Sequence, residues 1–466
     1  MDDLARNIKR VALVPMVGFA LLCVYLGYWH VLRGPELRAD PHNSRAQDRL
    51  RTIEPGRLYD ADAELLMGVA GSPGDWERSY PAGRHVCHLT GYNDRSGLQW
   101  GLRDAFLGIG RFEKPWAEFV EGPLQGNDVM LDVDLDVQQL ASRLLRGRRG
   151  ALVALSAHTG AVLALASAPA YDPAAILESD WDYQLFQEDP DRPEYNRALQ
   201  GLYPPGSVLK ILTAAIVLDL NRVDPDTVFH CTGKYEFEGA TITCPRAHGD
   251  VDLAEALAVS CNTTFAELAR YFSAEEFVEY AGRFELRARA QMPLPSSEGK
   301  LGDFSGANRE VLLSETAFGQ GATLVTPLAI ARLTLALANG GQVLEPYLVE
   351  LVRAPGGRVV ASARPRAVGR AVTAATAAAV AGMMRGVVEE GTGQVAQLRG
   401  IDVAGKTGSA ENPHGEAHSW FTCFAPAEDP AVVVTVVVEN AGAGSEAAAP
   451  IAREVLERLL DREGIR

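Results

Sequence analysis

Apolar and polar positions divide this chain into stretches of different character. Val11 to Leu32 is an almost unbroken apolar run in which His30 is the one readily ionised residue. At about 20 residues, a run of this kind is long enough to cross a bilayer as a helix. From Arg33 to about Gly126 the segments are short and rich in Gly, Pro and charge, and they include an aromatic stretch from Trp100 to Trp116. Beyond Asn127 the pattern lengthens. Helical spacing near Asp136–Arg146 is followed by two apolar runs, Ala151–Ala157 and Ala161–Ala166, joined by His158-Thr159-Gly160 and predicted as buried strands. Ala431–Glu439 is a further β-branched run, and a helical pattern follows from about Ala449 to Asp461. Strands on both sides of a helix-rich middle predict one α+β domain whose ends meet in a single sheet.

Charge places the apolar run. Arg6, Lys9 and Arg10 precede it, so the positive-inside bias predicts residues 1–10 as a cytoplasmic tail and everything after about residue 33 as extracytoplasmic, on the periplasmic side. No small-x-small cleavage site follows Trp29, and Arg33–Arg57 is polar; this favours an uncleaved, single-pass signal anchor over 11–32 rather than a removed leader. The remaining chain is long enough for two globular parts, a pedestal over 33–126 and a larger domain over 127–466. A net charge of −16 with no internal basic cluster excludes nucleic acid as a partner.

Six cysteines add one question. Cys23, Cys87, Cys261 and Cys423 are scattered singles, whereas Cys231 and Cys244 bracket Thr232–Thr243, a hairpin-like pattern. A cross-hairpin disulfide suits an extracytoplasmic location, and two free buried thiols suit the sequence equally. No Cys/His spacing matches a metal site, so no metal or other cofactor is expected.

Lysine usage points to chemistry. Only six of the 44 basic residues are lysine, and two of them stand in Ser207-Val208-Leu209-Lys210 and Lys406-Thr407-Gly408. Arginine holds its charge in proteins, so retained amines mark places where a proton can be lost. Ser207 follows Pro204-Pro205-Gly206 and opens a helix that is apolar almost all round, which brings its hydroxyl within reach of the Lys210 amine three residues on. Burial disfavours the charged amine and makes it a base toward the serine. A second Ser-x-x-Lys, Ser297 to Lys300, lies in a Pro-, Ser- and Gly-rich stretch that predicts loop, with nothing to hold the pair in register.

Two further motifs supply context. Ser260-Cys261-Asn262 follows the apolar Val251–Val259 at a helix boundary. Its hydroxyl can relay a proton and its amide can hold a substrate carbonyl, although capping of a helix starting near Thr263 explains the same residues. In Lys406-Thr407-Gly408-Ser409, the glycine allows close backbone approach at a strand edge while lysine and hydroxyls recognise a carboxylate. A plain Gly-rich turn is the rival reading.

Ser-x-x-Lys, Ser-x-Asn and Lys-Thr-Gly in that order resemble the signature of penicillin-binding proteins and serine β-lactamases. The chain is similar to the monofunctional, class B penicillin-binding proteins, membrane-anchored D,D-transpeptidases that cross-link peptidoglycan. Arg57-Leu58-Tyr59-Asp60 resembles the start of that family's pedestal, with Leu58 in place of isoleucine and without the usual glycine. Gly97-Leu98-Gln99 with Leu107-Gly108 resembles its Gly-Leu-Glu and Leu-x-Gly box, with Gln in place of Glu. Asn196-Arg197-Ala198, Tyr203 to Gly206, Gly319-Gln320-Gly321 with Thr326-Pro327-Leu328, Ala338 to Gly341 and Ser419-Trp420-Phe421 continue the family order.

The resemblance implies roles. Ser207 would attack the penultimate D-Ala carbonyl of a D-Ala-D-Ala stem peptide, with Lys210 as base. Ser260 would pass the proton to the departing D-Ala, Lys406 would raise the positive potential around the pair, and Asn262 would hold the acyl side chain. Thr407 and Ser409 would bind the terminal carboxylate, and backbone N–H groups of Ser207 and Ser409 would form the oxyanion hole. β-Lactams would acylate Ser207. A polytopic lipid II polymerase of the RodA/FtsW type is the implied partner, since residues 33–126 are too few for a glycosyltransferase domain of the chain's own. With water replacing the acceptor amine, the same residues would make a D,D-carboxypeptidase or β-lactamase. A silent scaffold is the third reading, and the intact motifs argue against it.

Overall fold

Val432–Val438, six valines around one threonine, is a strand in which every residue is buried. A strand with both faces covered shows no apolar/polar alternation, because each side chain meets a packed layer. It is the middle strand of a five-stranded sheet ordered Ala404–Ala410, His418–Ala425, Val432–Val438, Gly150–Ser156, Val162–Ala168, and every pairing is antiparallel. The computed structural model describes residues 2–29, 33, 52–109, 125–413 and 415–465, with side chains from residue 11 onward.

Strands separated by almost three hundred residues meet directly, with Val438 opposite Gly150 and Val432 opposite Ser156. On one face of the sheet lie the helices Leu135–Leu144 and Ala448–Arg462, around a core that includes Val137, Val434 and Val455. Asp134 caps the first of these helices by accepting the Val137 N–H at 3.0 Å. Helices Lys210–Asp219, Pro327–Ala338 and Ala374–Glu389 belong to the core of the other face. The expected α+β architecture is therefore present, and the strand and helix bounds move by one to two residues.

The N-terminal module is built on a six-stranded sheet ordered Val359–Ser362, Val349–Arg353, Asp128–Leu131, Leu58–Tyr59, Leu65–Ser72, Asp75–Ser79. Its first three strands lie beyond residue 126, so one sheet draws on both sides of the division expected there. Leu58–Tyr59 runs parallel to Asp128–Leu131 inside this sheet. The adjoining Asp60 carboxylate accepts N–H groups of Asp62, Glu64 and Leu135, which pins the turn that follows the strand.

The apolar N-terminal run is helical, but from Asp2 to Gly27 rather than from Val11 to Leu32. Residues 30–32 with His30, residues 34–51, and residues 110–124 with Trp116 lie outside the described residues, as do the side chains of Arg6, Lys9 and Arg10. Among the described residues no helix is long and apolar enough to cross a membrane. The expected span over 11–32 is thus left without support: the helix ends at Gly27, and residues 30–32 lie outside the described residues. Its apolar side chains are nevertheless in the open, with Val11 71% and Val14 73% exposed.

Candidate active site

Gly206–Leu209 is a 3₁₀ turn that runs straight into the α-helix Lys210–Asp219. Gly206 adopts φ +57°, and its N–H donates to the Gly319 carbonyl at 2.9 Å. A side chain on Gly319, itself at φ +97°, would meet the Gly206 carbonyl oxygen at 1.7 Å. The two glycines thus let the Gly319-Gln320-Gly321 loop seat the start of the serine helix. Ser207 is partly exposed on this turn, while Lys210 is fully buried. In the second Ser-x-x-Lys copy, by contrast, Ser297 to Gly299 are irregular and Lys300 is exposed.

The Lys210 amine donates three hydrogen bonds, to the Ser260 carbonyl at 2.7 Å, the Ser260 hydroxyl at 3.1 Å and the Asn262 side-chain oxygen at 2.8 Å. Among the described residues, none of its acceptors is the Ser207 hydroxyl, which differs from the direct contact expected. All three ammonium donors are already satisfied by the Ser260–Asn262 segment, and contacts of this kind often tighten only when substrate is present. Desolvation brings the Lys210 pKa down from 10.5 to about 7.

Ser260 lies between the helices Leu253–Ala258 and Asn262–Leu268, and Asn262 opens the second of them. Cys261 occupies the cap position, and no side-chain cap bond forms there. Helix capping therefore does not account for Ser260 and Asn262, whose side chains turn toward Lys210. Ser260 has φ +57°, an uncommon and costly conformation for a residue with a side chain.

Lys406 lies in the edge strand Ala404–Ala410 and is fully buried. Its amine donates to the Ser260 hydroxyl at 3.0 Å and to the Thr407 carbonyl at 3.1 Å. Desolvation first, and then the neighbouring Lys210 charge, hold the Lys406 amine well below its ordinary value. Gly408 lets this strand lie against the serine turn, since a Cβ there would come within 3.0 Å of the Val208 side chain. On the Gly206 side, the Ser409 carbonyl oxygen stands 2.8 Å from where a Cβ would be. Ser409 is exposed at the same edge. Ser207, Lys210, Ser260, Asn262, Lys406, Thr407, Gly408 and Ser409 thus come together where a helix start, a strained turn and a sheet edge meet.

Over residues 150–457 the chain matches the family model described as penicillin binding protein transpeptidase domain. The chain belongs to the penicillin-binding protein transpeptidase family. It is 32% identical to the peptidoglycan D,D-transpeptidase PbpA of Mycolicibacterium smegmatis, over 98% of this chain and 99% of that protein. It is 30% identical to the peptidoglycan D,D-transpeptidase MrdA of Haemophilus influenzae, over 83% of this chain and 70% of that protein. Among solved structures it is similar to a D,D-transpeptidase domain of a peptidoglycan glycosyltransferase from Eggerthella lenta. The TM-score there is 0.80 at 33% identity, covering 89% of this chain and all (100%) of the other. It is also similar to penicillin-binding protein A of Mycobacterium tuberculosis as a ceftriaxone acyl-enzyme complex, with TM-score 0.81, 28% identity and coverage of 88% and 99%.

The family landmarks beyond the three motifs also come together. Trp420 donates its indole N–H to the Pro204 carbonyl at 3.1 Å, and Tyr203 and Arg197 both donate to the Glu439 carboxylate, at 2.8 and 2.9 Å. Sequence reasoning missed Glu439, which anchors the loop ahead of Ser207. It also missed Thr392, whose hydroxyl lies 2.6 Å from that of Thr407. A Gly-Thr-Gly following a helix was the only signal available for it. Cys231 and Cys244 are not bonded: both are free thiols with sulfurs 3.8 Å apart, against about 2.05 Å in a disulfide.

Proposed function

We propose that this protein is a peptidoglycan D,D-transpeptidase of the penicillin-binding class, acting through a serine acyl-enzyme at Ser207 and acylated there by β-lactams. The observation that carries the reading is the fully buried Lys210 amine, one helical turn from Ser207 and lowered to about 7. Such an amine is free base in much of the population at neutral pH and takes the Ser207 proton as the hydroxyl attacks the penultimate D-Ala carbonyl. The developing oxyanion is met by the backbone N–H groups of Ser207 and Ser409. Collapse breaks the peptide bond, and Ser260 passes a proton to the leaving D-Ala nitrogen. The Ser260 hydroxyl is replenished from the two amines that already donate to it. A second stem peptide's amine then attacks the acyl-serine, and the proton relay runs in reverse.

Asn262 orients Lys210 and holds the acyl side chain. Thr407 and Ser409 take the terminal carboxylate on the open edge of the strand, next to Gly408. Lys210 and Lys406 both donate to the Ser260 hydroxyl, and burial first, then the Lys210 charge, disfavours the charged form of Lys406. When it takes up a proton, Lys406 raises the positive potential around the pair.

The exposed apolar side chains from Val11 to Tyr28 support an N-terminal membrane anchor. Basic residues ahead of them support a cytoplasmic N-terminus and a periplasmic cleft. Residues 33–126 then serve as the pedestal and 127–466 as the transpeptidase domain. A lipid II polymerase of the RodA/FtsW type would supply the strands to be cross-linked.

The test is fluorescent penicillin on the full chain in detergent, followed by mapping of the modified peptide. Labelling at Ser207, lost in Ser207→Ala, is the expected result. Labelling that persists in Ser207→Ala would move the nucleophile elsewhere. Release of D-Ala from a stem peptide without cross-linked product would make the enzyme a carboxypeptidase instead.

A further inference from the structure

Behind the Ser260-Cys261-Asn262 segment, the side chains of Cys231, Cys244, His248 and Cys261 converge until their donor atoms all lie within 4.8 Å of one another. Cys231 ends the strand Phe229–Cys231. Cys244 and His248 follow the hairpin formed by Lys234–Phe237 and Ala240–Thr243, and Cys261 is the middle residue of the active-site turn. The Cys231 and Cys244 sulfurs are 3.8 Å apart, Cys244 and Cys261 3.7 Å, and the Cys231 sulfur stands 3.4 Å from His248 Nδ1.

These spacings have a simple source. Around a tetrahedral zinc ion with bonds of about 2.3 Å to sulfur and 2.0–2.1 Å to nitrogen, neighbouring sulfurs lie about 3.8 Å apart and sulfur and nitrogen about 3.5 Å. Sulfurs at these separations are too far apart for a disulfide, and three of them could not all be paired. The surroundings suit thiolates as well. Cys244 Sγ accepts the backbone N–H groups of Asn262 at 3.2 Å and Thr263 at 3.4 Å, and Cys261 Sγ accepts the Thr264 hydroxyl at 3.2 Å. Donors aimed at sulfur are the second shell that a metal-bound thiolate requires, whereas a neutral thiol is a weak acceptor.

We propose that Cys231, Cys244, Cys261 and His248 through Nδ1 bind one zinc ion in a closed, structural site. Three thiolates and an imidazole are a soft, tetrahedral set that selects zinc over the hard cations. Binding releases three protons, one from each thiol, with no redox change. Four protein ligands leave no open position, so the ion does no chemistry on substrate. It ties the strand before the hairpin, the segment after it and the active-site turn together at one point. Given the transpeptidase reading above, this makes Cys261 a positioning residue: it holds Ser260 at its strained φ and keeps Asn262 on Lys210. The spacing Cys-x12-Cys-x3-His-x12-Cys matches no short finger pattern, because the hairpin, not sequence proximity, closes the site. The proposal departs from the expectation, drawn from spacing alone, that the cysteines and histidines form no metal site.

The full chain in detergent, expressed with zinc and then desalted, tests this by elemental analysis. One zinc per chain is expected for the native protein, with loss in both Cys231→Ser and His248→Ala. Cobalt substitution should give tetrahedral ligand-field bands with thiolate-to-cobalt charge transfer. His248→Ala leaves all three sulfurs in place, so it separates metal loss from misfolding if Cys231→Ser proves unstable. Native protein that holds no more zinc than His248→Ala, or whose intact mass under alkylation shows Cys231 linked to Cys244, overturns the proposal. Chelation of the native protein should also slow acylation by fluorescent penicillin by about tenfold and leave the rate for His248→Ala unchanged. A zinc-loaded protein whose labelling rate ignores chelation keeps the site and overturns its positioning role. A protein that binds zinc but never labels contradicts the transpeptidase reading alone.

Discussion

Lys210 and Lys406, 196 residues apart in sequence, aim their amines at the same oxygen, the Ser260 hydroxyl, at 3.1 and 3.0 Å. Burial first, and then the Lys210 charge, disfavours the charged form of Lys406. The arrangement sets a base beside the nucleophile and a proton route through Ser260.

Acylation should therefore depend on pH in one direction. With the folded Lys210 pKa near 7, the second-order rate of acylation by penicillin should rise through about pH 7 and level off above it. A rate that is flat, or falls, across neutral pH would exclude Lys210 as the base. Stopped-flow fluorescence with a labelled penicillin measures it.

Stability should carry the same signature. Unfolded, Lys210 titrates at its ordinary 10.5, and folded, at about 7. Between those values the unfolded chain holds the extra proton, so this group makes stability rise with pH, by up to about 1.4 kcal/mol per unit. Lys210→Met removes that slope. Relative to the variant, the native protein should gain unfolding free energy from pH 7 to pH 10 in denaturant titrations, and parallel curves would contradict the buried amine.

Asn262→Asp places a carboxylate where the amide oxygen now accepts from Lys210 at 2.8 Å. An adjacent opposite charge raises the amine pKa, by about one to three units. The acylation profile should shift to higher pH by that amount while the plateau rate changes less. An unmoved midpoint would show that Lys210 does not control the profile.

Gly319→Ala puts a methyl group 1.7 Å from the Gly206 carbonyl oxygen at φ +97°. The serine turn must shift or the fold must strain, at a cost of about 2 kcal/mol or more. Lower melting temperature together with weaker penicillin labelling is expected, and native values for both would remove Gly319 from the support of Ser207.

Thr392→Val keeps the volume but deletes the hydroxyl 2.6 Å from that of Thr407. Freed to rotate, Thr407 should bind the substrate carboxylate less well, raising the half-saturating penicillin concentration about tenfold with the limiting acylation rate nearly unchanged. A fall confined to the limiting rate would place Thr392 in the chemistry instead.

Much of this was legible in the residues. The β-branched run at Val432–Val438 and the two alanine-rich runs after Gly150 announced strands, and their separation by a helical middle announced that the ends would pair. Ser207 and Lys210 were legible because a lysine inside an apolar helix has few structural reasons to be there. What stayed hidden depends on long-range geometry. Nothing local marks Val349–Ser362 as part of the N-terminal sheet, because a strand's partners are set by topology rather than by its own pattern. Thr392 and Glu439 act on motif residues from other elements. Cys261 looked solitary because its partners arrive through a hairpin turn. The direct Ser207–Lys210 contact was expected from helical spacing, which fixes a shared face but not where a long side chain finds its acceptors.

The ladder between Val349–Arg353 and Asp128–Leu131 carries a mechanical implication. A pull on the N-terminal module loads that ladder, and thereby the segment that continues back to the helix Pro327–Ala338, which is packed against the middle of the catalytic sheet. Tension at the base of the molecule therefore has a hydrogen-bonded and covalent path to the helix that packs on the catalytic sheet, and separating the two strands would break the hydrogen bonds of that ladder.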